Sequence, residues 1–144
     1  MSDGERTFIN SRMIPASAAE IMGTFRDPQR LARWWGPDGF SNTFHEYDFR
    51  PGGAWNFTMH GPDGADYENH CRFDEISDYG VTLTHLATVH HFILTIALEP
   101  VDRGTLLTWR QTFDTPEEYA RVQSFVPRCN EENLARLEAE LKRP

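Results

Sequence analysis

No stretch of this 144-residue chain approaches the roughly 18 consecutive apolar residues of a membrane helix, and the polar start Met1-Ser-Asp-Gly-Glu-Arg6 has no apolar signal core. A spanning helix and a secretory leader are set aside, and the expected location is the cytoplasm. Cysteine is scarce. Cys71 and Cys129 are too few for a disulfide framework and too far apart for a C-x-x-C pair, so both read as reduced thiols. No run of Lys or Arg offsets the net charge of -8, from 22 acidic and 14 basic residues, which repels nucleic-acid phosphates and anionic lipid heads. Neither nucleic acid nor a membrane is an expected partner. The sequence also lacks a G-x-S-x-G elbow, a phosphate loop and a G-x-G-x-x-G turn, which argues against serine hydrolases, nucleotide enzymes and Rossmann oxidoreductases. Its six histidines show no H-E-x-x-H spacing, and His90 and His91 point to opposite faces if their segment is extended. No metal and no cofactor is expected.

Rings are plentiful: ten Phe, four Trp and four Tyr, enough either to fill a core or to line a hollow. With no repeat and no low-complexity linker, the chain is expected to form one domain over residues 1 to 144. Alternation from Arg6 to Ile14 predicts a strand stopped by Pro15. Ser17 with Glu20 makes a capping box for a short helix, and Asp27-Pro28 starts a second that Gly36-Pro37 ends. From Phe40 the period becomes two, predicting strands at about 41–49, 54–60, 66–76, 80–87, 91–99 and 105–113, joined by short connections, one a bend near Thr88. A meander extended by the first strand to seven follows. Thr115-Pro116 then opens a long helix, with Pro127 placed to kink or divide it. The fold class is α+β: a curved antiparallel sheet of six or seven strands covered by a C-terminal helix.

The alternation sets Trp55, Phe57 and Met59 on one face of their strand, and Leu107, Trp109, Gln111 and Phe113 on one face of theirs. His85, and with it Asn69, falls on the same ring-rich side. Polar groups on an apolar wall are either bonded internally or available to a ligand, so a solid core and a cavity both stay open from the pattern. Trp34 and Trp35 lie roughly 100° apart on a helix, so one can plug the core while Trp35 reaches a cavity mouth. Asp48 and Arg50 are read as an exposed ion pair, and Gly52-Gly53 as a site of positive φ or close chain approach.

Arg12, Pro15-Ala16-Ser17, Asp27-Pro28, Arg33-Trp34-Trp35-Gly36-Pro37, Asp48-x-Arg50-Pro51-Gly52-Gly53-x-Trp55 and Gly61-Pro62-Asp63-Gly64 together carry a resemblance. The chain resembles the START-like (SRPBCC, helix-grip) superfamily, and within it the bacterial homologues of the C-terminal domain of the heat-shock-chaperone ATPase activator. The resemblance implies a sheet wrapped around the long helix with a cavity between them that holds an apolar molecule. On that reading Trp55, Phe57, Met59, Trp109, Tyr119 and Phe125 supply the walls, Trp35 stands at the mouth, and Gln111 and His85 orient a polar end. The chain departs from its apparent relatives at Cys129-Asn130, where many carry Gly-Trp, so the helix-side wall is expected to be smaller and more polar. A second reading is a cyclase or dehydratase using His85 with Cys71 and Glu75 as helpers. The third is a chaperone-interacting module. The partner-binding N-terminal half of the activator has no counterpart here, so that interaction is not expected, while a homodimer stays open.

Overall fold

The computed structural model describes residues 5–87 and 90–144. The chain begins with β1 (Thr7–Ile14), turns through two helices, α1 (Ala18–Arg26) and α2 (Pro28–Trp34), and then runs six strands without interruption. These are β2 (Ser41–Tyr47), β3 (Ala54–His60), β4 (Asp66–Ser77), β5 (Gly80–His85), β6 (Phe92–Val101) and β7 (Gly104–Phe113). Two helices close the chain, α3 (Pro116–Val122) and α4 (Val126–Leu141). All strands form one antiparallel sheet in the order β1-β7-β6-β5-β4-β3-β2, the meander with its first strand added at the β7 side. The arrangement is the helix grip that the sequence predicts.

Local chemistry fixes the helix ends. Ser17 accepts from the Glu20 backbone N–H while the Ser17 N–H donates to the Glu20 carboxylate, a complete capping box. Asp27 accepts from the Gln29 N–H ahead of Pro28, and Thr115 from the Glu118 N–H ahead of Pro116. Pro127 divides the terminal helix. It lies in the first turn of α4, where its missing N–H costs nothing, and Phe125 stands at the junction without a side-chain cap.

Strand limits differ modestly from expectation. β2 stops at Tyr47, short of 49, because the chain turns at Asp48, whose N–H still bonds the Ala54 carbonyl. In that turn Gly52 has φ +83°, and a Cβ on Gly53 would fall 2.0 Å from the Asp48 carbonyl oxygen, so the pair serves one positive φ and one close approach. Arg50 donates to Asp48 at 2.8 Å in an exposed ion pair. β5 ends at His85, before 87, and the bend near Thr88 lies outside the described residues. A bulge between Phe73 and Glu75 corrects one expectation. It shifts the alternation by one residue, so Ile76 returns to the inner face and Glu75 is exposed. Glu75 cannot assist His85 inside the sheet.

The open side of the sheet is closed by helices. α4 packs against β1 and α2, and α2 packs against β2, so the two edge strands are each covered by a neighbouring helix. The main apolar core fills the ring so formed: Ile14, Ile21, Phe25, Leu31, Trp34, Trp55, Phe73, Leu94, Leu134 and Leu137 are fully or almost fully buried. Among the described residues no helix is long and apolar enough to cross a membrane.

Candidate functional site

The interior holds two apolar clusters rather than one. The larger contains Trp35, Trp55, Phe57, Cys71, Leu94, Trp109 and Leu134. The smaller, at the α3 end, is built from Phe8, Phe113, Val122 and Val126 with Tyr119, and Phe92 touches both. Sequence spacing explains the partition. Along β7 the inward positions read Trp109, Gln111, Phe113; along β1 they read Phe8, Asn10, then Ile14 at the far end; along α4 Val126, Asn130 and Leu134 recur at four-residue intervals. Each element interrupts its apolar series with an amide at the same level.

Those amides bond to one another. Asn130 Nδ2 donates to Asn10 Oδ1 and to Gln111 Oε1, both at 3.1 Å, and Trp109 Nε1 reaches Gln111 Oε1 at 3.5 Å. Asn10 Nδ2 continues the layer to Glu131 Oε1 at 2.9 Å and the Pro127 carbonyl at 3.2 Å. Gln111 thus spends its oxygen on two donors, while among the described residues no acceptor meets its Nε2. Its Nε2 keeps some contact with solvent, so the two N–H groups are open to water or to a ligand oxygen. Among the described residues, the fully buried indole N–H groups of Trp34 and Trp55 meet no acceptor.

The expected wall residues have separate fates. Trp35 caps α2 and lies 4.9 Å from the Trp55 ring and 5.5 Å from Trp109; Trp55 stacks on Phe57 at 4.3 Å. These four rings meet in one group, with half-buried Met59 at its margin. Trp34 plugs the core as its neighbour's counterpart, edge-on to Phe25 at 5.4 Å. Tyr119 belongs to the other cluster, stacked on Phe8 at 4.1 Å. Phe125, at the helix junction, is 41% exposed and lines neither cluster, because the break before Pro127 turns it outward. Three surface hollows of about 390 to 590 Å3 are lined by other residues altogether.

His85 faces Cys71 across the β4–β5 ladder and stacks on Phe92 at 4.7 Å with the rings parallel. Its Nδ1 lies 2.7 Å from the His90 carbonyl oxygen and its Nε2 2.8 Å from the Asn69 side-chain oxygen. Burial depresses its pKa, favouring the neutral ring. Both ring nitrogens thus face acceptors, since Asn69 Nδ2 already donates to the Tyr67 carbonyl at 3.0 Å, and a neutral ring, with one N–H, can donate to only one of them. Both nitrogens are nevertheless held against protein oxygens, so neither is turned toward the ring cluster where a guest would lie. Burial also pushes the Cys71 thiol up to about 12, so the sulfur is an inert space-filler at neutral pH. Among the described residues no three metal-ligating side chains converge.

Sequence reasoning named Gln111 and singled out Cys129-Asn130 as a more polar stretch of the helix-side wall, but missed Asn10 and Arg136. Asn10 was visible as a polar interruption at an inward position. Arg136 was not, since its partners lie about a hundred residues away: its guanidinium donates to the carbonyls of Gly36 and Pro37 at 2.8 Å, Trp35 at 3.2 Å, Arg33 at 2.8 Å and Phe40 at 2.9 Å. One side chain thereby holds the loop that carries Trp35.

Solved structures share this architecture. A protein from Arthrobacter aurescens aligns with a TM-score of 0.89 at 22% identity, over 100% of this chain and 90% of its own. One from Nitrosomonas europaea gives 0.84 at 20%, over 95% and 94%, and one from Chromobacterium violaceum 0.80 at 25%, over 96% and 99%. None of the curated proteins matches the chain. The family model described as "Activator of Hsp90 ATPase homolog 1-like protein" matches residues 15–142.

Proposed function

We propose, because the chain belongs to the family of Activator of Hsp90 ATPase homolog 1-like proteins, that it binds a small apolar or aromatic molecule between the sheet and α4. START-like folds of this kind commonly bind small hydrophobic ligands. The observation that carries the reading is the Gln111 amide, which lies between two ring-rich clusters with N–H groups that meet no described acceptor and stay open to solvent or a guest. An apolar guest bearing a carbonyl, ether or phenol oxygen answers that donor while covering Trp109, Trp35 and Phe57.

The rings touch one another, so the guest makes room by displacing one. Trp35 is the ring to move, since it sits on the helix cap rather than within a strand, whereas Trp55 and Trp109 are fixed by their ladders. Binding therefore proceeds with rearrangement, and its tightness is the differential affinity for the opened state.

Native mass spectrometry of protein purified without organic solvent, followed by titration of a panel of neutral aromatic ketones and phenols watched by tryptophan fluorescence, tests the reading. The expected result is a saturable change that Gln111→Leu weakens about tenfold, the loss of one hydrogen bond in a desolvated site. A panel with no saturable member and no retained molecule would overturn it. The acid–base reading of His85 gains nothing from a ring whose two nitrogens are held against protein oxygens.

A further inference from the structure

A groove of about 590 Å3 runs outside the ring, between α2, β2 and the last turn of α4, and shares no lining residue with the interior. Ala32, Phe40 and Ala139 supply an apolar wall, while the charged residues lining it are three arginines, Arg33, Arg136 and Arg143, and one glutamate, Glu140. In a chain of net charge -8 this is a local reversal of sign.

The positive charges are not all consumed by the protein. Arg136 is spent on the backbone carbonyls described above. Glu140, with a side chain 3% exposed, accepts from Arg33 Nε at 2.9 Å and Nη2 at 2.8 Å and from Arg30 Nε at 3.1 Å. Arg143 approaches it with Nε at 3.4 Å. Among the described residues, Arg33 Nη1 and both terminal nitrogens of Arg143 bond no acceptor. These two side chains are 41% and 57% exposed. Asp27 and Asp38 act on Arg33 and Arg136 from outside the groove, and the C-terminus of α4 adds roughly half a negative charge. Neither fills the free N–H positions of Arg33 and Arg143. On the groove wall, Asn42 Nδ2 is held by the carbonyls of Ala32 and Trp35, and its buried Oδ1, an acceptor without a donor among the described residues, contributes nothing to holding an anion.

We propose that this groove is a binding site for a small oxyanion, a carboxylate or phosphate, carried on a compact apolar body. A guanidinium whose Nε edge is already on Glu140 still offers its terminal N–H groups, and a planar or tetrahedral oxyanion bridges two such groups with charge-assisted bonds. Glu140 holds the arginines in place for it, and Phe40 with the two alanines covers the apolar part. The anion-binding nitrogens of Arg33 and Arg143 touch no residue of the interior cluster, although the groove residues Asn42 and Arg136 bond the Trp35 carbonyl.

The test is a titration of the full chain, followed by backbone amide chemical shifts, with sodium hexanoate and with inorganic phosphate at ionic strength held constant by sodium chloride. Saturable shifts confined to residues around Arg33, Ser41, Asn42, Ala139 and Arg143 are expected at millimolar concentration. Saturation by hexanoate alone assigns a carboxylate, by phosphate alone a phosphate, and by both the shared oxyanion chemistry. Arg143→Gln, whose side chain makes the weakest contact with Glu140, should leave the fold intact and weaken binding at least fivefold; Arg33→Gln with Arg143→Gln should abolish it. Failure of both anions to saturate, or an Arg143→Gln affinity within twofold of the parent, would overturn the proposal.

Discussion

Replacing Arg136 by methionine isolates the contribution of one guanidinium to the loop that carries Trp35. The two terminal nitrogens provide four N–H groups for five carbonyls, so the three acceptors around Nη1 share two hydrogens. Bonds from a charged donor are worth about 1.5–3 kcal/mol each, but four of these carbonyls are only partly buried and the fifth, on Arg33, is exposed, so water recovers much of the loss. Burial lowers the pKa of Arg136, and only Asp38 acts on it as an opposing charge, so the guanidinium itself costs desolvation that methionine avoids. A net destabilisation of about 3–4 kcal/mol remains. For a chain of this size that corresponds to a fall in Tm of about 6–16 °C, at roughly 2–4 °C per kcal/mol. Urea titration followed by tryptophan fluorescence measures the global value. Native-state hydrogen exchange at Gly36, Asp38 and Phe40 measures whether the loop opens first. Arg136→Lys, with one compact ammonium reaching two or three carbonyls, should fall about midway. A loss below about 1 kcal/mol for Arg136→Met, with exchange in the loop unchanged, would refute the reasoning.

Two further outcomes follow from the charged and thiol groups. Hydrogen bonds from Arg33, then Arg30, hold the Glu140 carboxyl below its ordinary value, with Coulombic help from Arg33 and Arg143. A depressed carboxyl contributes stability that is complete above its unfolded value of about 4.3 and is lost as pH falls through the folded value. Glu140→Gln should therefore cut the urea midpoint at pH 7 and flatten its decline below about pH 4.5; an acid limb as steep as the parent's would count against the pairing. Cys71, buried and with its thiol raised to about 12, should resist iodoacetamide at pH 8 until the protein unfolds, while half-buried Cys129, raised less by its burial, labels first. Peptide mass mapping reads the order, and early modification of Cys71 would show that the sheet opens locally.

Much of this architecture can be read from short-range chemistry. The Ser17–Glu20 box, Asp27-Pro28, Thr115-Pro116, the Gly52-Gly53 turn and the period-two alternation each act within a few residues, so their outcomes agree with the spacing. Pro127 divides the terminal helix by the same local rule. The Phe73/Glu75 bulge escapes such reading, because inserting one residue depends on the partner strand's register and leaves no mark in the alternation before it. The site was legible only in part. Gln111 shows as a polar residue on an inward phase, but whether its amide is satisfied depends on Asn10 and Asn130, brought together over separations of 120 residues. The Arg136 clamp is likewise a long-range event with no periodic signal. Phe125 was misjudged because a helix divided at Pro127 does not carry one apolar stripe through its junction.

The first strand and the last helix depend on each other. Thr7 meets Thr112 across 105 residues, and Asn10 meets Glu131 across 121. During synthesis, the exposed border of β1 must wait for almost the whole polypeptide to emerge, because both β7 on one flank and α4 on the other are made late. Contacts of such long sequence range close slowly. The nascent chain therefore carries an unprotected sheet border through most of its time on the ribosome, and shortening it before residue 126 would leave that border permanently available for association with other chains.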